Sequence, residues 1–292
     1  PLEQGDRAGP PVRFFNPLSM KFAKHATRDD INNVIAAHAA AARFAIDSGF
    51  DAVEIHLGHN YLASSFLSPM INRRNDEFGG SLENRAKVAR GIVMAVRREV
   101  ERLGPAPPIA VTAKLNMADG GVRGSIQIEE SLQTAKWLES DGGLDAIELT
   151  AGSSLLNPMY LFRGDAPVKE FAAAQKWPLN WGGMRMTGKK FMREYPYRET
   201  YLLRDAEQFR KELKMPLILL GGITNRESMD RAMAEGFEFV AMGRALLAEP
   251  DLLNRIQADG DAHSVKSLCT HCNKCMPTIY SRTLCVVTGG PA

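Results

Sequence analysis

The sequence predicts an α/β protein of the (β/α)8 barrel (TIM barrel) class. Three observations predict it. Segments of helical period alternate with short apolar runs, the pattern of a parallel sheet with right-handed crossovers. A doubly wound sheet usually shows a Gly-rich phosphate loop after its first strand, and none is visible. Glycines instead follow the last two strands, as Gly221-Gly222 and Gly243-Arg244, where such a barrel places its phosphate site.

The elements follow in order. Residues 1–25 are rich in Pro and Gly and show no period. Over 26–49, Ile31, Val34, Ile35, Ala41, Ala42, Ala45 and Ile46 share one helical face, with Thr27 or Asp29 as cap and Gly49 as stop. His38 lies on that face and reads as a satisfied core histidine. Residues 51–57 form a strand. Ser81 caps a helix through roughly Arg98, with Val88, Ile92, Val93 and Val96 inward. Residues 109–115 form a strand, 131–140 a helix and 144–150 a strand. A helix near 203–213 leads to a strand at 216–221. Thr224 with Glu227 reads as a capping box for the next helix, and 237–242 is the last strand.

That makes five strands where a closed barrel has eight. An arc of five leaves apolar edges unpaired, so the first three βα units are expected to lie outside this chain. The start, Pro1-Leu2-Glu3-Gln4-Gly5, has no initiator Met and reads like the middle of a longer protein. Residues 1–292 are taken as a single barrel domain, incomplete at its N-terminus. It carries an irregular excursion over 152–200 and a cysteine-rich segment over 263–288.

Composition narrows the classes. Net charge is +2 in 292 residues, so electrostatics point to neither nucleic acid nor a membrane surface. No run approaches the roughly 18 to 20 apolar residues of a membrane helix. The expected partner is a small molecule, with self-association left open. All four cysteines lie within Cys269–Cys285, which favours a metal or iron–sulfur site in a reducing cytoplasm over scattered disulfides.

Three constellations carry chemistry. His56, His59 and Tyr61 follow a barrel strand, where such folds keep catalytic groups. Imidazoles can hold a carbonyl oxygen and a phenol can deliver a proton. The plain alternative is a loop whose histidines satisfy backbone groups. Gly221, Gly222 and Gly243 allow close backbone approach to an anion, and Arg244 adds a charge-assisted contact. Cys269, Cys272 and Cys275, with Cys285 further on, suit a [4Fe–4S] cluster. Reduced thiols and a zinc site that His271 could enter are the alternatives. Trp177, Trp181, Phe191, Tyr195 and Tyr197 read as packing for the excursion ahead of a substrate lid. Lys189, Lys190 and Arg193 read as solvated surface.

Beyond the histidines, Phe66-Leu67-Ser68-Pro69 and Asn72-Arg73-Arg74-Asn75-Asp76-Glu77-Phe78-Gly79-Gly80-Ser81-Leu82-Glu83-Asn84-Arg85 closely resemble a signature of the Old Yellow Enzyme family. Gly221-Gly222-Ile223 and 241–252 resemble that family's phosphate-binding end. The likeness covers roughly 26–150 and 215–285. It implies FMN as cofactor, NADH or NADPH as reductant, and an enzyme that reduces activated C=C bonds. His56 and His59 would bind the substrate's activating oxygen, Tyr61 would protonate, and Lys114 would face the flavin where Arg is commoner. Asn60 stands where Gly is commoner. The cysteines resemble the iron–sulfur motif of the branch with dienoyl-CoA reductases and amine dehydrogenases, with a shorter last spacing. An inactive barrel with structural zinc is the reading from another class.

Overall fold

Thr27 sets the start of the first helix. Its hydroxyl accepts from the Asp30 backbone N–H at 3.1 Å, and the Asp30 carboxylate accepts from the Thr27 N–H at 3.0 Å. Helix α1 (Arg28–Asp47) follows, and Gly49 at φ +78° ends the segment. The computed structural model describes residues 14–16, 21–23, 26–174, 186, 188–189, 191–259 and 264–289. They divide between two compact units, Pro1–Ser154 with Gln208–Leu217, and Leu155–Glu207 with Ile218–Ala292.

The first unit holds two short strands, β1 (Phe14–Asn16) and β2 (Lys21–Ala23), paired antiparallel within the stretch that showed no period. It then follows the predicted alternation: β3 (Ala52–Leu57), α2 (Leu62–Ser65), α3 (Leu82–Leu103), β4 (Ala110–Asn116), α4 (Ile128–Ser140) and β5 (Ala146–Thr150). Strands β3, β4 and β5 pair in parallel. Ser81 caps α3 by accepting from the Asn84 N–H at 3.3 Å, and Val88, Ile92, Val93 and Val96 are buried as expected. Helix α1 packs on α3 at Gly91, where a Cβ would stand 3.2 Å from Ile35 Cδ1. On α1 only Ile31 and Ala42 are fully buried, and Ala41 is exposed, so the apolar face is narrower than the sequence suggested. His38 is half-buried and its Nδ1 lies 2.7 Å from the Val34 carbonyl, so it is satisfied by backbone.

Strand alternation gives this sheet two unlike faces. Ile55, Leu57, Ala113, Leu115, Ile147 and Leu149 point one way and are buried. Each large one contributes roughly 1.5–3 kcal/mol relative to exposure. Glu54, His56, Thr112, Lys114, Glu148 and Thr150 occupy the alternate positions, so the other face is polar.

In the second unit β6 (Leu217–Leu220) and β7 (Phe239–Ala241) pair in parallel. The helix Arg226–Ala234 corrects the capping assignment. Asn225, not Thr224, accepts from the Ser228 N–H at 2.8 Å, and Ser228, not Glu227, returns the bond. Thr224 instead gives its hydroxyl to Glu199 Oε1 at 2.7 Å. Ala245, Leu252 and Ile256 form a small core with Met229, Met242, Leu246 and Val265 against it. Over 152–200 the described residues form short helices at Pro158–Leu161 and Val168–Ala173. Trp177, Trp181 and Lys190 lie outside the described residues. Tyr195 packs edge-on to Tyr160 at 5.3 Å between ring centres, and Tyr197 stacks on His271. Among the described residues no helix is long and apolar enough to cross a membrane.

Candidate active site

Parallel register brings His56, Lys114 and Glu148 side by side on three adjacent strands. Lys114 Nζ donates to Glu54 Oε1 at 2.8 Å and lies 3.2 Å from Glu148 Oε1. The second contact is an ion pair off the hydrogen-bond direction. Glu148 Oε1 is buried and has no hydrogen-bond partner among the described residues. Burial and the neighbouring Glu54 raise the Glu148 pKa. Burial alone would lower Lys114, but Glu54 and Glu148 outweigh it and raise its pKa. The ammonium is therefore fixed and charged.

Above this layer the chain turns sharply. His59 and Asn60 adopt φ +59° and +57°, two left-handed residues in succession. Gly58 permits this packing, since a Cβ there would lie 3.0 Å from Thr150 Cγ2 and 3.4 Å from His56 Cε1. The ring centres of His56 and His59 are 5.1 Å apart, as are those of His56 and Tyr61. The sequence-predicted trio is thus one cluster at the end of β3. His59 is buried and its Nε2 lies 2.8 Å from Thr150 Oγ1. Burial, then His56 and Lys114, lower the His59 pKa to about 3. Burial and Lys114 lower His56, against an upward pull from Glu54. Both rings are neutral at pH 7, so each can donate one N–H and accept at the other nitrogen. Tyr61 is 53% exposed, so its ring faces solvent.

Asn60 explains itself at this point. Asn is among the side chains that tolerate the left-handed region where Gly is at ease. Its Nδ2 donates to Asp119 Oδ1 and Oδ2 at 3.2 and 3.3 Å. The segment that follows is a structural brace. Asn72 Nδ2 donates to the Phe66 and Phe78 carbonyls, each at 2.7 Å, and Arg74 Nη1 to the Ala26 carbonyl at 2.7 Å. Gly79 is required because a Cβ would sit 2.2 Å from the Arg74 carbonyl oxygen. Arg85 is buried and pairs with Glu130 at 2.5 Å.

The remaining candidates belong to the second unit. Gly221 and Gly222 have φ +103° and +77°, and the segment 198–202 packs against them. A Cβ at Gly222 would meet the Thr200 nitrogen at 2.6 Å, and one at Gly221 would meet Leu202 Cγ at 2.8 Å. Gly243 has no atom within 4 Å of where a Cβ would stand. Arg244 donates to the Arg163 carbonyl at 2.9 Å and to Asn273 Oδ1. Asn273 is almost wholly buried and donates to the Phe162 and Asp165 carbonyls at 2.6 and 2.9 Å. It ties the segment between Cys272 and Cys275 to Arg244. All four cysteines line one cleft with Arg244 and Leu247. Among the described residues no three His, Cys, Asp or Glu side chains converge as ligands of one metal ion. Burial raises the Cys269 and Cys275 thiol pKa values. Burial and Arg244 lower His271 to about 4.

Sequence reasoning missed Glu54, Glu148, Thr150, Asp119 and Asn273. The two glutamates left a signal, since each interrupts an apolar strand at the position that faces His56 or Lys114. Asp119 reads only as a turn residue before Gly120-Gly121.

Comparison with known proteins sets this geometry in context. The NADH:flavin oxidoreductase / NADH oxidase family matches residues 6–149 and 182–262. A 4,4'-dithiodibutanoate disulfide reductase of Rhodococcus erythropolis is 48% identical over 277 residues, covering 95% of this chain and 66% of that protein. An NADH oxidase of Thermoanaerobacter brockii is 30% identical over 251 residues, covering 86% of this chain and 32% of that protein. The chain therefore spans less than two thirds of the length of either relative. Among solved structures, a 2-naphthoyl-CoA reductase superposes with TM-score 0.73 at 24% identity, over 95% of this chain and 37% of that one. A histamine dehydrogenase from Rhizobium sp. 4-9 gives 0.72 at 20% identity, over 98% and 36%. At these identities the likeness concerns the fold, which is that of the (β/α) barrel enzymes.

Proposed function

The chain belongs to the NADH:flavin oxidoreductase / NADH oxidase family, and on that premise we propose that it serves as an FMN-dependent NAD(P)H oxidoreductase that reduces activated C=C bonds. The observation that carries the reading is the cluster of His56, His59 and Tyr61 at the end of β3, with His56 beside Lys114 on the neighbouring strand. The residues fit a flavin. Lys114 offers a fixed cation, and Glu148 Oε1, ion-paired with it but without a hydrogen-bond partner among the described residues, suits a polar ring edge that both accepts and donates. Lys114 would hold that edge. Gly221, Gly222, Gly243 and Arg244 are assigned to the phosphate on their sequence motif, with the open space at Gly243 in support.

FMN, once reduced by NADH or NADPH, supplies the hydride for the β-carbon of the alkene. The protein does the rest. A Thr150 hydroxyl that donates to Nε2 leaves the His59 ring proton on Nδ1, where it would serve a substrate oxygen. His56 adds a second N–H. Together they draw electron density from the alkene and stabilise charge on that oxygen. Tyr61 holds the proton for the α-carbon. Replacing Tyr61 by Phe is expected to slow alkene reduction by about a hundredfold or more. Flavin reduction by NAD(P)H, followed at the flavin absorption band, should be unchanged. A full rate of alkene reduction in Tyr61→Phe removes Tyr61 from this scheme.

The similarity to a disulfide reductase supports a second reading, in which the acceptor is an S–S bond. Two electrons and two protons then give two thiols, and Tyr61 protonates a leaving thiolate. Side-by-side turnover of an enone and an aliphatic disulfide separates the two. For the cysteines the proposal is a [4Fe–4S] cluster held by Cys269, Cys272, Cys275 and Cys285. Its support is that all four cysteines line one cleft, as a cube with one thiolate per iron requires. Iron and zinc analysis separates the cluster from a structural zinc ion.

A further inference from the structure

Asp119 is fully buried just beyond the end of β4. Three side chains from separate stretches of chain converge on it. Ser68 Oγ donates to Oδ2 at 2.7 Å, Asn116 Nδ2 to Oδ1 at 2.7 Å, and Asn60 Nδ2 to both oxygens at 3.2 and 3.3 Å. The Asp119 backbone is held too, with its N–H on the Ile126 carbonyl at 3.4 Å. Burying a carboxylate is costly unless it is hydrogen-bonded; burial raises the Asp119 pKa, and the three donors oppose that rise. The arrangement is built around the carboxylate at the expense of its donors. The Oδ1 atoms of Asn60 and Asn116 are buried with no hydrogen-bond partner among the described residues.

Asn60 stands between His59 and Tyr61, at a φ where Gly would be unstrained. What Asn has and Gly lacks is the tether to Asp119. We infer that Asp119 is a positioning residue, which acts through Asn60 to hold His59 and Tyr61 in their working orientation. Its carboxylate couples three places: the catalytic turn through Asn60, the signature segment through Ser68, and the end of β4, two residues past Lys114, through Asn116. The inference rests on the roles proposed above for His59 and Tyr61. A misplacement of about 1 Å at such a group costs on the order of a hundredfold in rate.

The test uses the FMN-loaded protein and four variants: Asn60→Gly, Asp119→Asn, Tyr61→Phe and the double variant N60G/Y61F. Asn60→Gly keeps the left-handed turn and cuts only the tether, so it remains informative if Asp119→Asn fails to fold. Expected for Asn60→Gly are faster amide exchange over residues 58–62, unchanged flavin content, and a tenfold to hundredfold lower kcat for alkene reduction. A structural role alone would leave the cost of Tyr61→Phe the same in both backgrounds. The inference requires that cost to shrink at least about fivefold when Asn60 is already Gly, because Tyr61 is then no longer well placed. Unchanged exchange and kcat in Asn60→Gly would overturn it, and so would an undiminished Tyr61→Phe cost. If Tyr61→Phe costs nothing in the otherwise natural protein, the proton-donor assignment has failed instead. The exchange measurement then still decides whether the tether orders the turn.

Discussion

His59 is buried beside a second imidazole and an ammonium, and its pKa falls to about 3. In the unfolded chain the same ring titrates near 6.5. Above pH 6.5 both states are neutral and the group is silent. As pH falls from about 6.5 towards 3, the unfolded chain takes up a proton that the folded chain refuses, so stability drops with falling pH. The loss is at most about 1.4 kcal/mol per pH unit across that window. Melting temperatures from pH 7 to pH 4 should therefore fall less steeply for His59→Gln than for the natural protein, and parallel curves would show that His59 is not the group responsible. His56, His59 and Tyr61 were legible in the sequence because a strand end followed by a polar run is a local pattern. Asp119 was not, since its three partners arrive from residues 60, 68 and 116 and only folding assembles them.

Helices and strands were legible wherever the period was regular. The five parallel strands lie within two residues of their expected ends. Caps were harder, because neighbouring residues of the same chemical type compete. Thr224 and Asn225 are both good N-caps, and Glu199, 25 residues from Thr224, captured the Thr224 hydroxyl and left Asn225 to cap. At α1 the capping box is closed by Thr27 and Asp30. Thr27→Ala should cost about 1 kcal/mol. A urea titration would show this as a lower midpoint at unchanged slope. A midpoint equal to that of the natural protein would mean that the box contributes nothing to global stability.

For the molecule as a whole, the proposed function implies a cofactor content. Protein purified without oxygen is expected to carry about one FMN per chain and close to four irons with matching sulfide. Flavin with zinc in place of iron would replace the cluster by a structural ion. Flavin with neither metal would leave reduced thiols at the cleft. The sequence by itself determined the alternation of helix and strand, hence the barrel class, because apolar periodicity is written residue by residue. It also offered His56, His59 and Tyr61 as the candidate site, through a resemblance carried by residues 50–90. Tertiary structure alone decided how those groups are held and charged. Register across three strands set Lys114 between Glu54 and Glu148, burial neutralised the two histidines, and a hidden carboxylate gathered the loops around them. The physical reason is that pairing and desolvation join residues 34 to 91 positions apart, and no local pattern in a single sequence records which distant residue will face which.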